Sequence, residues 1–190
     1  NKFKQTLHYT YQLKDISAKS TIWDGFKTNL KNKIKKAEKE YTVDETEFTE
    51  SLYELQRANF KKQNIKIPFD RKYLDSIDTA MSGQRKIFVV RDRNQKIVAA
   101  QYLVWDKTTA YNLLLAIDEN HKGMGVGPLI LWHSIQYASD IVNVYDFEGS
   151  MLPGVQSFFE SFGGSPIQYY QIYRIRHPWM RMWFALTGKI

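Results

Sequence analysis

The hydrophobic rhythm of the chain changes several times, and each change marks an element. Residues 4–13 (KQTLHYTYQL) alternate and are rich in Thr and Tyr, which predicts a strand. From Ser20 or Thr21 the period lengthens. Trp23, Phe26, Leu30, Ile34 and Ala37 recur at three- and four-residue spacing and predict one amphipathic helix, with Asp24 three after Thr21 in an approximate capping box. Tyr41–Val43 reads as a short extended link. Asp44 and Glu47 predict the opening of a second helix that turns Phe48, Leu52, Leu55 and Phe60 inward and ends near Gln63. Ile65–Phe69 around Pro68 is extended, and Asp70–Ala80 is a third, shorter helix.

Beyond residue 84 strand patterns take over. Arg85–Asp92, Lys96–Trp105 and Thr109–Ile117 read as three strands whose links are short enough for hairpins, an antiparallel meander. Gly123–Pro128 is a glycine-rich turn. Leu129–Ala138 is apolar nearly all round, the mark of a buried helix. Val142–Glu148 reads as a strand, Leu152–Phe162 as a helix, Ile167–Arg176 as a last strand, and Pro178 as the start of a tail helix. The order predicts an α/β (α+β) domain with one mixed sheet, an antiparallel meander within it, and helices on both faces. A helix connects Thr109–Ile117 to Val142–Glu148, so those two strands are expected to be parallel neighbours.

Composition narrows the chemistry. The 190 residues are 43% hydrophobic and 15% aromatic, enough for a sizeable core and incompatible with bulk disorder. There is no cysteine, which excludes disulfides, thiolate nucleophiles, zinc–cysteine sites and iron–sulfur clusters. Four scattered histidines without an HxxxH spacing give no metal site. No apolar run has the length of a membrane span, and no signal-type run opens the sequence. A reducing, cytoplasmic setting is the expectation. Net charge is +7, of which residues 1–40 supply +6 through ten lysines against four acids. A basic segment of this kind suits RNA, an anionic membrane surface or a phosphorylated ligand, with the helix over 21–40 as the contact; a plain solvated lysine face is the alternative. The tail, with Trp179, Met182, Trp183, Phe184 and Leu186 beside Arg181 and Lys189, reads as a short interfacial helix offering peripheral membrane contact, or as a segment that packs on the domain.

Two groups of residues carry candidate chemistry. The first is Asn120–Pro128, where Lys122-Gly123-Met124-Gly125-Val126-Gly127 leads directly into the buried helix. Glycines allow close backbone approach, and the free N–H groups of a helix start attract phosphate. The run lacks the Lys-Ser/Thr of a Walker loop and the third glycine of a dinucleotide fingerprint. It resembles, with Lys in place of Arg or Gln, the [RQ]-x-x-G-x-[GA] coenzyme A loop of the GNAT acyltransferases. The second group is Asp146 and Glu148, two apart and expected on one face of a strand. Paired carboxylates there are expensive unless bonded or facing a cleft, and one of them acquires the raised pKa of a general base; capping or ion pairing is the structural alternative. His121 in the turn is a candidate phosphate donor, and His133 reads as a packing residue.

Asp146-Phe147-Glu148-Gly149-Ser150, then the run from Leu152 to Pro166, then QYYQIYRI, resembles the C-terminal half of FemAB-like proteins of the GNAT superfamily, as the lysine-rich stretch 23–43 resembles their joining helix. The resemblance implies a GNAT-like acyltransferase fold over 20–176, with 1–19 completing an upstream domain and 177–190 a C-terminal helix. It implies transfer of an acetyl or aminoacyl group to an amine from acetyl-CoA, another acyl-CoA or aminoacyl-tRNA. The donor would lie against Lys122, Gly123, Met124, Gly125, Val126 and Gly127 and run along Leu115 and Ile117, where a backbone N–H polarises the acyl carbonyl. Glu148 or Asp146 would serve as base. Phe159 stands where many GNAT enzymes carry an acidic tyrosine, so Tyr170, or its neighbours Tyr169 and Tyr173, would substitute. The lack of that tyrosine keeps a second reading open, a non-catalytic GNAT-fold module that binds an anionic ligand or nucleic acid.

Overall fold

A computed structural model describes residues 3–149, 153–174 and 179–180. Among the described residues seven strands form one sheet in the order β2-β3-β4-β5-β6-β1-β7. They are β1 (Lys4–Lys14), β2 (Thr42–Thr46), β3 (Arg85–Arg91), β4 (Ile97–Trp105), β5 (Thr109–Ile117), β6 (Val144–Asp146) and β7 (Ser165–Tyr173). The helices are α1 (Lys19–Gly25), α2 (Thr28–Ala37), α3 (Glu50–Lys62), α4 (Arg71–Ala80), α5 (Val126–Ala138) and α6 (Pro153–Ser161). The meander β3-β4-β5 is antiparallel throughout, and β6 joins β5 in parallel, as the connecting helix requires. The core has two parts. The larger gathers α2, α5 and the aromatic residues of β6 and α6; the smaller lies where Leu52 of α3 and Leu74 of α4 cover β3 and β4.

Several local expectations are corrected. The stripe from Trp23 to Ala37 does not ride on one helix. Gly25 ends α1, and Phe26 and Lys27 are extended, at φ −69°, ψ 142° and φ −61°, ψ 141°, before α2 begins. Phe26 still points inward, packed against Trp132 and Phe162, so the apolar spacing survives a break in the helix. Thr42 and Val43 of the expected link belong to a real strand: β2 pairs with β3, and Asp44 lies on it rather than opening α3. That leaves Phe48 in the connecting turn, 76% exposed instead of buried. The first strand is internal to this sheet. β1 pairs antiparallel with β7 along Lys4–Gln12 and with β6 along Gln12–Lys14. The last residues expected in β7 and the tail helix at 177–190 lie, apart from Trp179 and Met180, outside the described residues.

α5 shows most directly how sequence positions the site. Nine of its thirteen residues are buried, so it threads the centre of the domain. It starts at Gly125, which takes the left-handed φ of +86°. A Cβ there would come within 2.6 Å of the Lys33 carbonyl and 3.1 Å of Ala37 Cβ. Gly125 therefore lets α2 pack directly on the turn that opens α5.

Candidate active site

β5 and β6 begin as neighbours and separate. Their pairing comprises Thr109↔Val144, Ala110↔Tyr145 and Tyr111↔Asp146, yet β5 runs on to Ile117. The following residue, Phe147, instead donates its N–H to Tyr11 O on β1 at 2.9 Å. From Asn112 onward β5 has no paired strand on that side, and Asn112 Nδ2 reaches across to Phe147 O at 3.5 Å. A register shift at Tyr102/Leu103 leaves Leu113 as an extra residue on β5 just beyond the divergence. A buried polar network lies beneath. Gln101 Nε2 bonds Asn112 Oδ1 at 2.9 Å and Tyr145 Oη at 2.8 Å, and Tyr145 Oη meets Ser134 Oγ at 2.7 Å. Burial pushes the Tyr145 phenol well above its ordinary pKa, so it stays neutral and acts as a fixed hydrogen-bonding strut.

Farther along β5, two carbonyls are already engaged. Gln56 Nε2 of α3 donates to Leu115 O at 3.2 Å, and Asn59 Nδ2 donates to Ile117 O at 3.1 Å. Neither amide stands out in the sequence, because polar residues on the outer stripe of a helix read as solvent-facing. The signal lies in their three-residue spacing, which puts both on one helix face.

The two carboxylates occupy different environments. Asp146, the last residue of β6, is 5% exposed. It accepts hydrogen bonds from the Thr10 hydroxyl, from Gln12 Nε2 at 2.8 Å and from the Glu148 N–H at 2.7 Å. Thr10 and Gln12 alternate on β1 with buried Tyr11, and that alternation is their only sequence signature. Glu148 does not share the strand face with Asp146. It lies past the end of β6 in the left-handed region, φ +64°, anchored through its N–H to Asp146. Its residue surface is open to solvent, but desolvation of its carboxyl, and secondarily the negative charge of Asp146, raise its pKa above the usual glutamate value.

Tyr170 stands on β7 opposite Leu7, 57% exposed, with β1 between it and β6. No hydrogen bond among the described residues ties it to either carboxylate. Phe159 is in the core, stacked on Phe147 with ring centroids 4.9 Å apart. His133 has its pKa lowered by burial, as fits a packing residue.

At the far end of β5 the glycine turn walls a pocket of about 240 Å³. It is lined by Ile117, His121, Lys122, Gly123, Gly125, Gly127, Pro128 and Phe158, and also by Lys33 from α2. The N–H groups of Gly125, Val126 and Gly127, the ones a helix start leaves free, have no backbone acceptor among the described residues. His121 Nδ1 is buried there without a hydrogen-bond partner, 3.8 Å from Asp118 Oδ1. Lys122 is held 2.5 Å from Glu119, which tempers its charge. Val126 is buried, Met124 is 53% exposed, and the Tyr41 hydroxyl reaches Met124 Sδ at 3.3 Å. The geometry therefore gathers Lys122, Gly123, Gly125, Gly127 and Ile117 around one pocket. Lys33 is an additional lining residue that the charge pattern assigns only to a general basic face.

A divergent parallel pair, an extra residue on the inner strand and a glycine turn opening a buried helix are the features on which known proteins can be compared. The GNAT acetyltransferase domain family matches residues 25–158, more than half the chain. The chain belongs to the GNAT acetyltransferase family. Among solved structures, this GNAT domain superposes on FemX with a TM-score of 0.75 and 13% identity, covering 92% of this chain and 63% of FemX. L-PGS from Bacillus licheniformis gives 0.66 at 13% identity, with coverage of 98% and 66%. An aminoglycoside acetyltransferase from an uncultured soil metagenomic sample, in complex with sisomicin, gives 0.52 at 19% identity, with coverage of 66% and 89%. At these identities the likeness is one of fold. The GNAT chain spans less than two thirds of the length of FemX and of L-PGS. A sequence search of curated proteins returns no match. Membership of the GNAT family implies acyl transfer in general terms, and FemAB-like proteins share its fold. Among the described residues no helix is long and apolar enough to cross a membrane.

Proposed function

We propose that this GNAT domain transfers an acyl group from a coenzyme A thioester, acetyl-CoA or a longer acyl-CoA, to the nitrogen of an amine. The observation that carries this reading is the pocket at the end of β5, where Lys33, His121 and unbonded N–H groups surround the mouth of α5. That combination suits the diphosphate of the donor. The thioester arm then follows β5 toward the divergence, and the acyl carbon lies between β5 and the end of β6. Glu148 is the base. Its raised pKa equips it to take the proton of the incoming ammonium or of the nitrogen as the C–N bond forms and the C–S bond breaks, the thiolate leaving with a proton from water. Asp146 is a positioning residue, since its oxygens hold Thr10, Gln12 and the Glu148 backbone. A free N–H on β5 near Leu115 would polarise the acyl carbonyl. Tyr170, the substitute acid the sequence suggests, lies on β7 with β1 between it and the carboxylates, so this step does not use it.

One observation favours a different donor. Leu115 O and Ile117 O are bonded by Gln56 and Asn59, and an extended thioester arm along β5 competes for the same strand edge. An aminoacyl-tRNA carries its acyl group on an ester at the end of an RNA strand and needs no such ladder. The lysines of α2 would then hold the RNA.

The deciding experiment offers the full chain acetyl-CoA, longer acyl-CoAs and aminoacyl-tRNA with a mixed amine panel and detects acylated amines by mass. Thioester-dependent product with wild type and a fall of roughly 10²–10⁴ for Glu148→Gln at unchanged donor affinity supports the reading. Product from aminoacyl-tRNA alone transfers the function to the second donor. Donor binding without product from either makes the domain a binding module.

A further inference from the structure

A second concentration of positive charge lies well away from α2. Residues 57–72 carry six Lys and Arg against a single acid, Asp70. Asp70 is not available to them as a counter-charge in full, because its carboxylate caps α4 through the Tyr73 N–H at 2.8 Å. Arg57 pairs with Glu54 at 2.7 Å, and Arg71 with Glu50 and Asp75. Lys61, Lys62, Lys66 and Lys72 have no ion-pair partner among the described residues, and all are exposed. Three concavities run together here, sharing walls. The first, of about 380 Å³, is lined by Arg57, Lys61, Asn64, Ile65, Lys66 and Ile67. Lys66 and Ile67 also line the second, and Pro68 and Phe69 belong to both the second and the third, which Lys72 and Tyr73 complete.

The apolar residues within this crescent decide its partner. Ile65 is 54% exposed among the lysines, and Tyr73 is 60% exposed beside Lys72. An aliphatic side chain standing out of a ring of ammonium groups gains nothing from a nucleic-acid backbone. It matches a lipid interface, where lysines stay at phosphate level while Ile and Tyr enter the acyl boundary. Asn64 breaks α3 with a left-handed φ of +56°, and the Ile65 N–H bonds back to Phe60 O at 3.0 Å, which fixes Ile65 at the helix end.

We propose that the α3–α4 crescent docks this protein onto an anionic phospholipid surface, with phosphate headgroups at Lys61 and Lys66 and Ile65 inserted beside them. This site is separate from the glycine-turn pocket and does not depend on the acyl donor.

The test is co-sedimentation of the full chain with vesicles of phosphatidylcholine alone and of phosphatidylcholine with phosphatidylglycerol, at low and moderate salt. Binding is expected to the anionic vesicles and to weaken with salt. Each lysine near the surface is worth about five-fold in partitioning, so the double variant K61Q/K66Q should bind roughly 25-fold more weakly. Ile65→Ser should cost a further factor of about three to ten. The independent pair K62Q/K72Q repeats the charge test on different side chains, and circular dichroism checks that each variant is folded. The proposal is overturned by no binding to anionic vesicles, by binding that the lysine variants leave unchanged, or by binding lost only when Lys33, Lys35 and Lys36 of α2 are neutralised. It is also overturned if the same lysine variants abolish binding to duplex RNA while Ile65→Ser has no effect on vesicles, because the crescent is then a nucleic-acid surface.

Discussion

Gly125 and Gly123 have nearly the same backbone, φ +86° and +81°, in one turn, but different surroundings, and this separates two reasons for a glycine. At Gly123 nothing lies within 4 Å of the place a Cβ would occupy, so Gly123→Ala costs only the strain of an L-residue in the left-handed region, about 1–2 kcal/mol. At Gly125 the same backbone cost applies, and the added methyl also meets the Lys33 carbonyl at 2.6 Å and Ala37 Cβ at 3.1 Å. Both contacts belong to a helix that cannot rotate away without unseating Leu30 and Ile34 from the core. Overpacking of this type costs about 1–3 kcal/mol, so Gly125→Ala should be that much less stable than Gly123→Ala. With a urea dependence of about 2 kcal/mol per molar, the midpoint should fall roughly 0.5–1.5 M further. The assay is equilibrium unfolding followed by tryptophan fluorescence, since Trp23 and Trp132 lie 5.2 Å apart beside α2 and α5. Equal midpoints for the two variants would refute the claim that Gly125 is needed to seat α2 on the turn. Donor affinity measured on the same proteins separates the roles further: Gly123→Ala should weaken it at little cost in stability.

Other outcomes are specific enough to check. Glu148 has a folded pKa above its unfolded value, so its contribution to stability is most favourable at low pH and declines as pH rises from the ordinary glutamate range through the raised folded value. Glu148→Gln should therefore leave neutral-pH stability unchanged or slightly improved, and the wild-type rate should rise with pH along a limb displaced above that of an ordinary carboxylate; a marked loss of stability in the variant means a structural carboxylate. Tyr145→Phe strips partners from Gln101 and Ser134 in the core and should cost about 1–3 kcal/mol in chemical denaturation. Lys33→Gln should weaken binding of a diphosphate-bearing donor and reduce its salt dependence without altering stability by more than about 0.5 kcal/mol. Asn59→Ala frees the Ile117 carbonyl, so it should tighten binding of an acyl-CoA if the thioester arm uses that edge and leave it unchanged if the donor is an RNA ester.

What is legible in the sequence follows the range of the forces involved. The meander, the buried helix and the parallel neighbour can be read because period-2 and all-apolar patterns are repeated many times over each element. The break at Gly25–Lys27 is not legible, since Phe26 sits at a helical spacing and its inward direction comes from packing on Trp132 and Phe162 rather than from a continuing helix. β2 escapes notice because TVDET has one partly covered apolar residue, Val43, and its strand character comes from pairing with β3. For the site, Lys122 to Gly127 stand out because glycines next to a helix start form a local signature. Lys33, Gln56 and Asn59 do not, because each reaches the site from an element distant in sequence.

The same distinction changes how the charge pattern is understood. Counted along the chain, the excess lysine of residues 1–40 looks like one basic arm for a polyanion. In three dimensions α2 packs on the turn before α5, and that contact brings Lys33 to the pocket while Lys35 and Lys36 remain exposed near the helix C-terminus. Part of the charge thus belongs to a small site, and part is open to solvent, where the negative end of the helix dipole favours it whether or not a partner exists. The segment 57–72 is the converse case, nearly hidden in an overall balance of acids and bases yet concentrated on one surface by the α3–α4 turn. Salt dependence therefore has to be measured variant by variant: neutralising Lys33 should affect the donor, neutralising Lys61 and Lys66 should affect the surface, and a single response to both would mean that the two regions act as one polyanion track.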